Sequence, residues 1–384
     1  MYNKNLMSII FIIGFGLLGA TQKPQIKLKL LGEKTLDEDS YIQMALAEGK
    51  RITIAGKDNI IYYDKNGKVK TNTIFIDKNG KIIKRLKAEV RISRNGRYCG
   101  ALYASMYPLG WTKNDSFVLY DSLGKKIWGI TRGEDKGTIF HSRFGLFGVP
   151  PAHADIFISP DGSRVVGVEG FDAGNFSPND TFRIDFYGEG GIIIKEVKLP
   201  HPYYWQAGWS PDGKMFVVSC PGSYPHGISR DDIVYAFDKN GKKLWKKTVK
   251  GSHFIYSAFQ WAKTMVITKK FIIQGYADRI LKKHGILFMD YDGNIIKKLY
   301  PPRSVFYLVL SPNERWLMAW ERWDCFLVDL DDLEIVKGWR HNEFDFGKKR
   351  LIKNCIFWGK NTFGIKIGFK QSKCMMFKIT KGER

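Results

Sequence analysis

The chain has 384 residues, with 61 Lys and Arg against 38 Asp and Glu, a formal net charge of +23, 39 glycines and 14% aromatic residues. Long heptads and Ala/Leu-rich runs are absent, which excludes a coiled coil or helical bundle and points to an all-β chain. The basic balance suits a polyanionic partner, but no motif of a nucleic-acid-binding domain accompanies it, so specific nucleic-acid binding is not expected.

Residues 1–20 read as a signal peptide. Lys4 supplies the positive start, Leu6 to Leu18 is apolar apart from Ser8 and two glycines, and Gly19-Ala20 offers small residues for cleavage. The apolar run is short for a membrane span, and no cysteine follows it to carry a lipid. The expected mature protein is therefore residues 21–384, exported to the periplasm, the cell surface or the medium. Cys99, Cys220, Cys325, Cys355 and Cys374 make an odd count without metal-site spacing. All lie in or beside apolar runs, as expected of buried thiols.

Gln25–Leu31 alternates polar and apolar residues and reads as a lone strand. Asp37–Gly49 reads as a short helical or irregular passage. Arg51–Leu86 holds two hairpin turns, Asp64-Lys65-Asn66-Gly67 and Asp77-Lys78-Asn79-Gly80. Val90–Ser93 and Arg97–Tyr103 flank Ser93-Arg94-Asn95-Gly96; Phe117–Tyr120 and Lys125–Ile130 flank Asp121-Ser122-Leu123-Gly124. After a long loop, Ile156–Ile158 meets Ser159-Pro160-Asp161-Gly162, and Thr181–Phe186 and Ile192–Leu199 close that unit. Tyr204–Lys250 is the clearest copy. In it Ala207–Trp209 and Lys214–Ser219 flank Ser210-Pro211-Asp212-Gly213, and Ile233–Phe237 and Lys243–Val249 flank Asp238-Lys239-Asn240-Gly241. Proline presets φ for a turn's second position, and Gly or Asn supplies the positive φ that a hairpin needs.

Two hairpins make a four-stranded antiparallel sheet, and the unit recurs with a period of about 50 residues. Ser159 and Ser210 lie one period apart, and Ser311 lies two periods beyond. The intervening copy is expected at Ala258–Ile267, paralleling Ala207–Val217 without its Pro-Asp-Gly, with a second turn at Asp290-Tyr291-Asp292-Gly293. A sixth unit spans Tyr307–Trp339. A seventh, from Leu351 to Ile379, has only three strands, and strand 25–31 can supply its fourth. The expected fold is a single all-β domain, a β-propeller of seven four-stranded blades closed by the N-terminal strand, with six or eight blades as alternatives.

The Ser-Pro-Asp-Gly turns after an aromatic-containing strand resemble the WD-repeat-like propellers of exported bacterial proteins. Val234–Trp245 resembles the outer strands of quinoprotein-type blades. The resemblance implies fold; propellers of these kinds bind proteins, peptides or glycans, and some are enzymes. The quinoprotein pattern has a tryptophan at the same strand of every blade. Here only Trp128 and Trp245 recur there, so no quinone, and no other cofactor, is expected.

In such a blade the first and third connections share one face of the ring, and the second connection and the blade-to-blade links share the other. The first class is tight throughout, and the second holds every long loop, where function usually lies. The candidate ligand-binding residues are His153, His201, Tyr203, Trp205, His226, Arg230, His253, Tyr256 and Arg303, aromatic, His and Arg side chains on or beside those loops. A metal held by His153, His201, His226 and His253 with Asp155 or Asp172 has no diagnostic spacing, and no metal is assigned. Asp161, Asp212, Asp238 and Asp290 read as turn residues that cap backbone donors, and no catalytic residue is assigned. Lysines such as Lys243, Lys246, Lys247, Lys297 and Lys298 fall on outer strands, where they deter edge pairing.

The expected function is a monomeric, non-catalytic binding module that takes a protein, peptide or glycan on its long-loop face. The alternatives are a propeller hydrolase or lyase with a His-based site at the channel mouth, and attachment to an anionic cell-surface polymer.

Overall fold

The structure is a computed structural model that describes residues 26–36, 43–47, 51–55, 73–76, 82–86, 89–93, 97–103, 116–121, 124–131, 153–170, 181–200, 205–221, 231–250, 252–254, 264–278, 281–303, 305, 307–321, 323–340, 352–368 and 372–381. Among these, the strands form seven antiparallel sheets. The first sheet is β2 (Gln43–Ala47), β3 (Arg51–Ala55), β4 (Thr73–Ile76) and β5 (Ile82–Leu86). The second is β6 (Glu89–Ile92), β7 (Tyr98–Tyr103), β8 (Ser116–Asp121) and β9 (Lys126–Thr131), and the third is β10 (His153–Ile158), β11 (Val165–Gly170), β12 (Thr181–Tyr187) and β13 (Ile193–Pro200). The fourth is β14 (Gln206–Trp209), β15 (Met215–Pro221), β16 (Asp231–Asp238) and β17 (Lys243–Lys250). The fifth has an extra short strand: β18 (Ser252–Phe254) and β19 (Met265–Ile267) both pair with β20 (Ile272–Asp278), followed by β21 (Lys283–Met289) and β22 (Ile295–Leu299). The sixth is β23 (Tyr307–Leu310), β24 (Trp316–Trp320), β25 (Asp324–Asp329) and β26 (Glu334–Arg340). In the seventh, β27 (Ile352–Gly359), β28 (Thr362–Gly368) and β29 (Ser372–Lys381) are joined by β1 (Ile26–Leu36).

The fourth strand of the seventh sheet thus comes from the N-terminal segment, as the alternation at 25–31 implies, and it runs five residues further, to Leu36. Two expectations are corrected. The segment Asp37–Gly49 is not helical or irregular throughout: Gln43–Ala47 is β2, with Met44 opposite Ile54 and Leu46 opposite Ile52. Its Met-Ala-Leu-Ala run favours a helix locally, and pairing with a β-branched neighbour overrides that preference. In the fifth sheet, Met265–Ile267 is the strand before the first turn, not the one after it. The turn lies at Thr268–Phe271, where the Thr268 hydroxyl accepts the amides of Lys270 and Phe271 at 3.1 and 2.8 Å. A threonine there does the work of serine, and the absence of Pro-Asp-Gly hid the turn.

The core lies between sheets. Apolar clusters join the second to the third, the third to the fourth, and so on to the seventh. Phe186, Phe216, Phe237 and Phe288 are fully buried, and each such burial stabilises by roughly 1.5–3 kcal/mol. Indole nitrogens tie neighbouring sheets by donating to backbone carbonyls: Trp209 Nε1 to Phe157 at 3.1 Å and Trp245 Nε1 to Tyr291 at 2.7 Å.

The fourth strand of every sheet carries a β-bulge. Register shifts leave Leu31, Ile83, Ile127, Ile194, Leu244, Ile296 and Val336 as the extra residues, aliphatic in each case. A bulge sharpens local twist and re-aims the residue that follows it. In two sheets that residue reaches the turn of the next sheet: Lys195 lies against Gly241, and Trp245 against Gly293. Gly241 has φ +81°, and a Cβ there would stand 2.7 Å from the Phe186 ring. Gly190 has φ +72°, and a Cβ there would meet nothing within 4 Å. Gly190→Ala is therefore expected to cost only the left-handed strain, about 1–2 kcal/mol. Gly241→Ala is expected to cost about 2–4 kcal/mol, because overpacking against Phe186 adds to it. Thermal or denaturant unfolding of both variants measures the difference.

Candidate functional site

The two faces differ in how their polar groups are satisfied. On the tight-turn face several described turns are closed by their own side chains, whereas the turn at 188–191 is closed by backbone bonds alone. Ser159 Oγ donates to Asp161 Oδ1 at 2.6 Å and accepts the Arg164 amide at 3.0 Å. Ser210 repeats this with Asp212 at 2.6 Å and the Met215 amide at 2.9 Å. Asp238 and Asp290 accept the amides of Lys242 and Asn294. Burial pushes the Asp161 and Asp212 carboxyls up, but hydrogen bonds from Ser159, Ser163, Ser210 and the turn amides outweigh it, and both end below the ordinary value. Asp290 is lowered in the same way, against a slight desolvation, by Asn294 and the turn amides. These acids are thus engaged in capping, as their turn positions imply.

Burial pushes the Cys99 and Cys220 thiols each up to about 12, with Asp232 adding to the effect at Cys220. Cys99, Cys220 and Cys325 are free and buried, and Cys355 is buried, small apolar fillers rather than nucleophiles.

On the opposite face the sequence candidates are only partly placed. His201, Tyr203, His226, Arg230 and Tyr256 lie outside the described residues. His153 is the first residue of β10, opposite Gly170, and His253 is the middle residue of β18, opposite Ala277; their side chains lie outside the description. Trp205 stands just before β14, half-buried, its indole edge-on to Phe157 of the third sheet at 5.8 Å and 67°. Arg303 lies in the link that enters the sixth sheet. Its Nε is 2.9 Å from Asp324 Oδ2, with the arginine side chain 53% and the aspartate 3% exposed. Trp205 and Arg303 therefore mark two separate points, at the mouths of the fourth and sixth sheets.

Asp324 was not among the sequence candidates. It begins β25, a strand otherwise apolar up to Asp329, and a lone acid opening a buried run was the available signal. Its Oδ2 holds Arg303, whereas its buried Oδ1 has no hydrogen-bond partner among the described residues. Asp232 is the matching buried acid at the start of β16. A second polar group missed in the sequence ties the fourth and fifth sheets. Ser219 Oγ donates to Gln274 Oε1 at 3.0 Å, and Gln274 Nε2 donates to Thr264 Oγ1 at 3.0 Å and to the Gly275 carbonyl at 3.2 Å. With its donors and acceptor used internally, this network is a structural tie. Among the described residues no group of three or more His, Cys, Asp or Glu is placed to hold a metal ion.

No protein-family model and no curated protein matches the sequence. Solved structures do. The β-propeller domain of Cps50 (Swd1) from Myceliophteria thermophila aligns with a TM-score of 0.50 at 10% identity, over 92% of this chain and 100% of that one. The Dos1 propeller aligns with a TM-score of 0.54 at 9% identity, over 93% and 96%. At such identities the likeness concerns the fold alone, and it shows an all-β propeller architecture.

Two outcomes test this site and its opposite face. Arg303→Ala leaves a buried carboxylate without its counter-charge, so it is expected to cost about 1–2 kcal/mol although the arginine is half exposed. Asp324→Asn in that background is expected to recover most of the loss in a double-mutant cycle. On the tight-turn face, folded-state carboxyls below their unfolded value of about 3.9 supply stability that is present above that pH and disappears as pH falls through the lowered values. Ser159→Ala with Ser210→Ala is expected to cost about 1 kcal/mol each at neutral pH and to make the acid loss shallower, as read by denaturant melts across the acid range.

Proposed function

We propose that this chain is an exported, non-catalytic propeller of seven blades, closed by strand β1, that binds a protein, peptide or glycan on its long-loop face. The seven sheets among the described residues and the pairing of β1 with β29 support the blade count and the closure. The leader-like residues 1–20 support export. One observation carries the choice of face: Arg303, half exposed, is held by the buried carboxylate of Asp324. A guanidinium fixed at Nε presents its remaining donors to solvent at little entropic cost on binding, which suits a carboxylate or other acceptor on a partner. The comparable pair on the tight-turn face, Arg315 with buried Asp329 at 3.1 Å, is drawn further in: its arginine is 30% exposed, also lies 3.6 Å from Asp331 and covers the Trp316 ring.

Selection from a displayed peptide library and a glycan array, with the purified protein, is expected to return ligands rich in acidic groups. Arg303→Ala is expected to weaken their binding by about tenfold or more, and Leu244→Ser, at the opposite rim, to leave it unchanged. Unchanged binding by Arg303→Ala would move the site elsewhere.

A further inference from the structure

We propose that the rim of the tight-turn face docks on an anionic lipid bilayer through its bulge residues. The bulge places one aliphatic side chain at the same register in every sheet, just beyond the third turn in the second to sixth. Of the five whose side chains are described, four stand well out of the fold, Ile127 at 44% exposed, Ile194 42%, Leu244 51% and Ile296 51%, while Val336 packs against the core between the sixth and seventh sheets. Ile192 at 68% and Ile295 at 42% extend the set on either side of the same turns. Folding does not require such exposure, since the neighbouring position already makes the contact with the next sheet. Single exposed aliphatics are ordinary, but a repeated register is not scattered placement.

The third, fourth and fifth sheets are consecutive and share apolar clusters. They therefore bring Ile192, Ile194, Leu244, Ile295 and Ile296 to one level along one stretch of rim. Lysines flank them on the same strands. Lys195, Lys198, Lys243 and Lys246 are exposed, and Lys297 and Lys298 are partly so. Of the acids nearby, Glu196 is paired with Arg183 and Lys198, and Asp290 accepts the Asp292 and Asn294 amides of its own turn.

Lysines alone would suit any polyanion. Aliphatic side chains have nothing to offer a soluble polyanion, whereas at a bilayer they reach the boundary between headgroups and acyl chains while the lysine stems lie along it with their charges among the phosphates. The combination commits the surface to anionic lipid. It also leaves the long-loop face pointing away from the bilayer and free to bind.

Flotation of the purified protein with phosphatidylcholine vesicles, with and without phosphatidylglycerol, tests this. The wild-type chain is expected to float with the anionic vesicles and not with pure phosphatidylcholine. Leu244→Ser with Ile296→Ser, at exposed positions where melting should be unaltered, is expected to lower retention about tenfold, and Lys243→Glu with Lys246→Glu to abolish it. Arg303→Ala is expected to leave it unchanged, which separates this rim from the long-loop face. Failure of the wild type to float overturns the proposal. So does full retention by the serine pair, which would reduce the attraction to charge alone.

Discussion

The structure depends on the contact between one sheet and the next. A four-stranded sheet of this kind has two apolar faces and cannot bury either by itself, so each sheet is stable only as a neighbour. That requirement explains why the turns are built as they are. A glycine at positive φ closes the hairpin and also lets the adjacent sheet approach, as Lys195 does at Gly241 and Trp245 at Gly293. Where the glycine is replaced, the contact is kept by other means. In the first turn of the sixth sheet, Ser311-Pro312-Asn313-Glu314, Glu314 stands where Gly162 and Gly213 stand in the third and fourth sheets, with φ +56°, a strained value for a residue with a side chain, and its carboxylate accepts the Lys269 amide of the fifth sheet at 2.7 Å.

The repeat was legible because turn chemistry is local. Ser-Pro-Asp-Gly and Asp-Lys-Asn-Gly announce hairpins through φ preference and capping, without reference to the rest of the chain, and the odd strand at the N-terminus matched the missing strand at the end. Legibility failed where local chemistry and pairing disagree. Met44-Ala45-Leu46-Ala47 has a helix former's composition and is a strand because Ile52 and Ile54 lie opposite. Thr268-Lys269-Lys270-Phe271 lacks every turn residue that was sought, and it turns because one hydroxyl accepts two amides. The bulges were invisible for a different reason. An aliphatic residue on an outer strand reads as inward-facing until the register shows that it has been displaced.

The two tryptophans that recur on fourth strands share one structural position. Trp128 and Trp245 stand immediately after bulges, and the third, fifth and sixth sheets have Lys195, Lys297 and Lys337 there. Trp245 and Lys195 do the same mechanical task against a neighbouring glycine, one with a ring and an indole donor, the other with a methylene stem. In these two sheets the position docks against the neighbouring turn, and bulk serves there as well as aromaticity. A signature written in terms of tryptophan therefore misses three of the five positions in the second to sixth sheets.

Site residues were the least legible, because the useful polar groups are defined by what they are buried against. Arg303 was chosen for its type and its place in a link. What distinguishes it from the other exposed arginines and lysines is Asp324, two strands on, whose carboxylate is buried at the mouth of the sixth sheet. Charge alone could not single out one cation among 61 Lys and Arg. Described lysines such as Lys243, Lys246, Lys297 and Lys298 lie on fourth strands, at sheet edges, and act collectively. A cation that is held in one orientation by a buried partner acts individually, and that difference, rather than the net charge, separates a surface that attracts from a site that recognises.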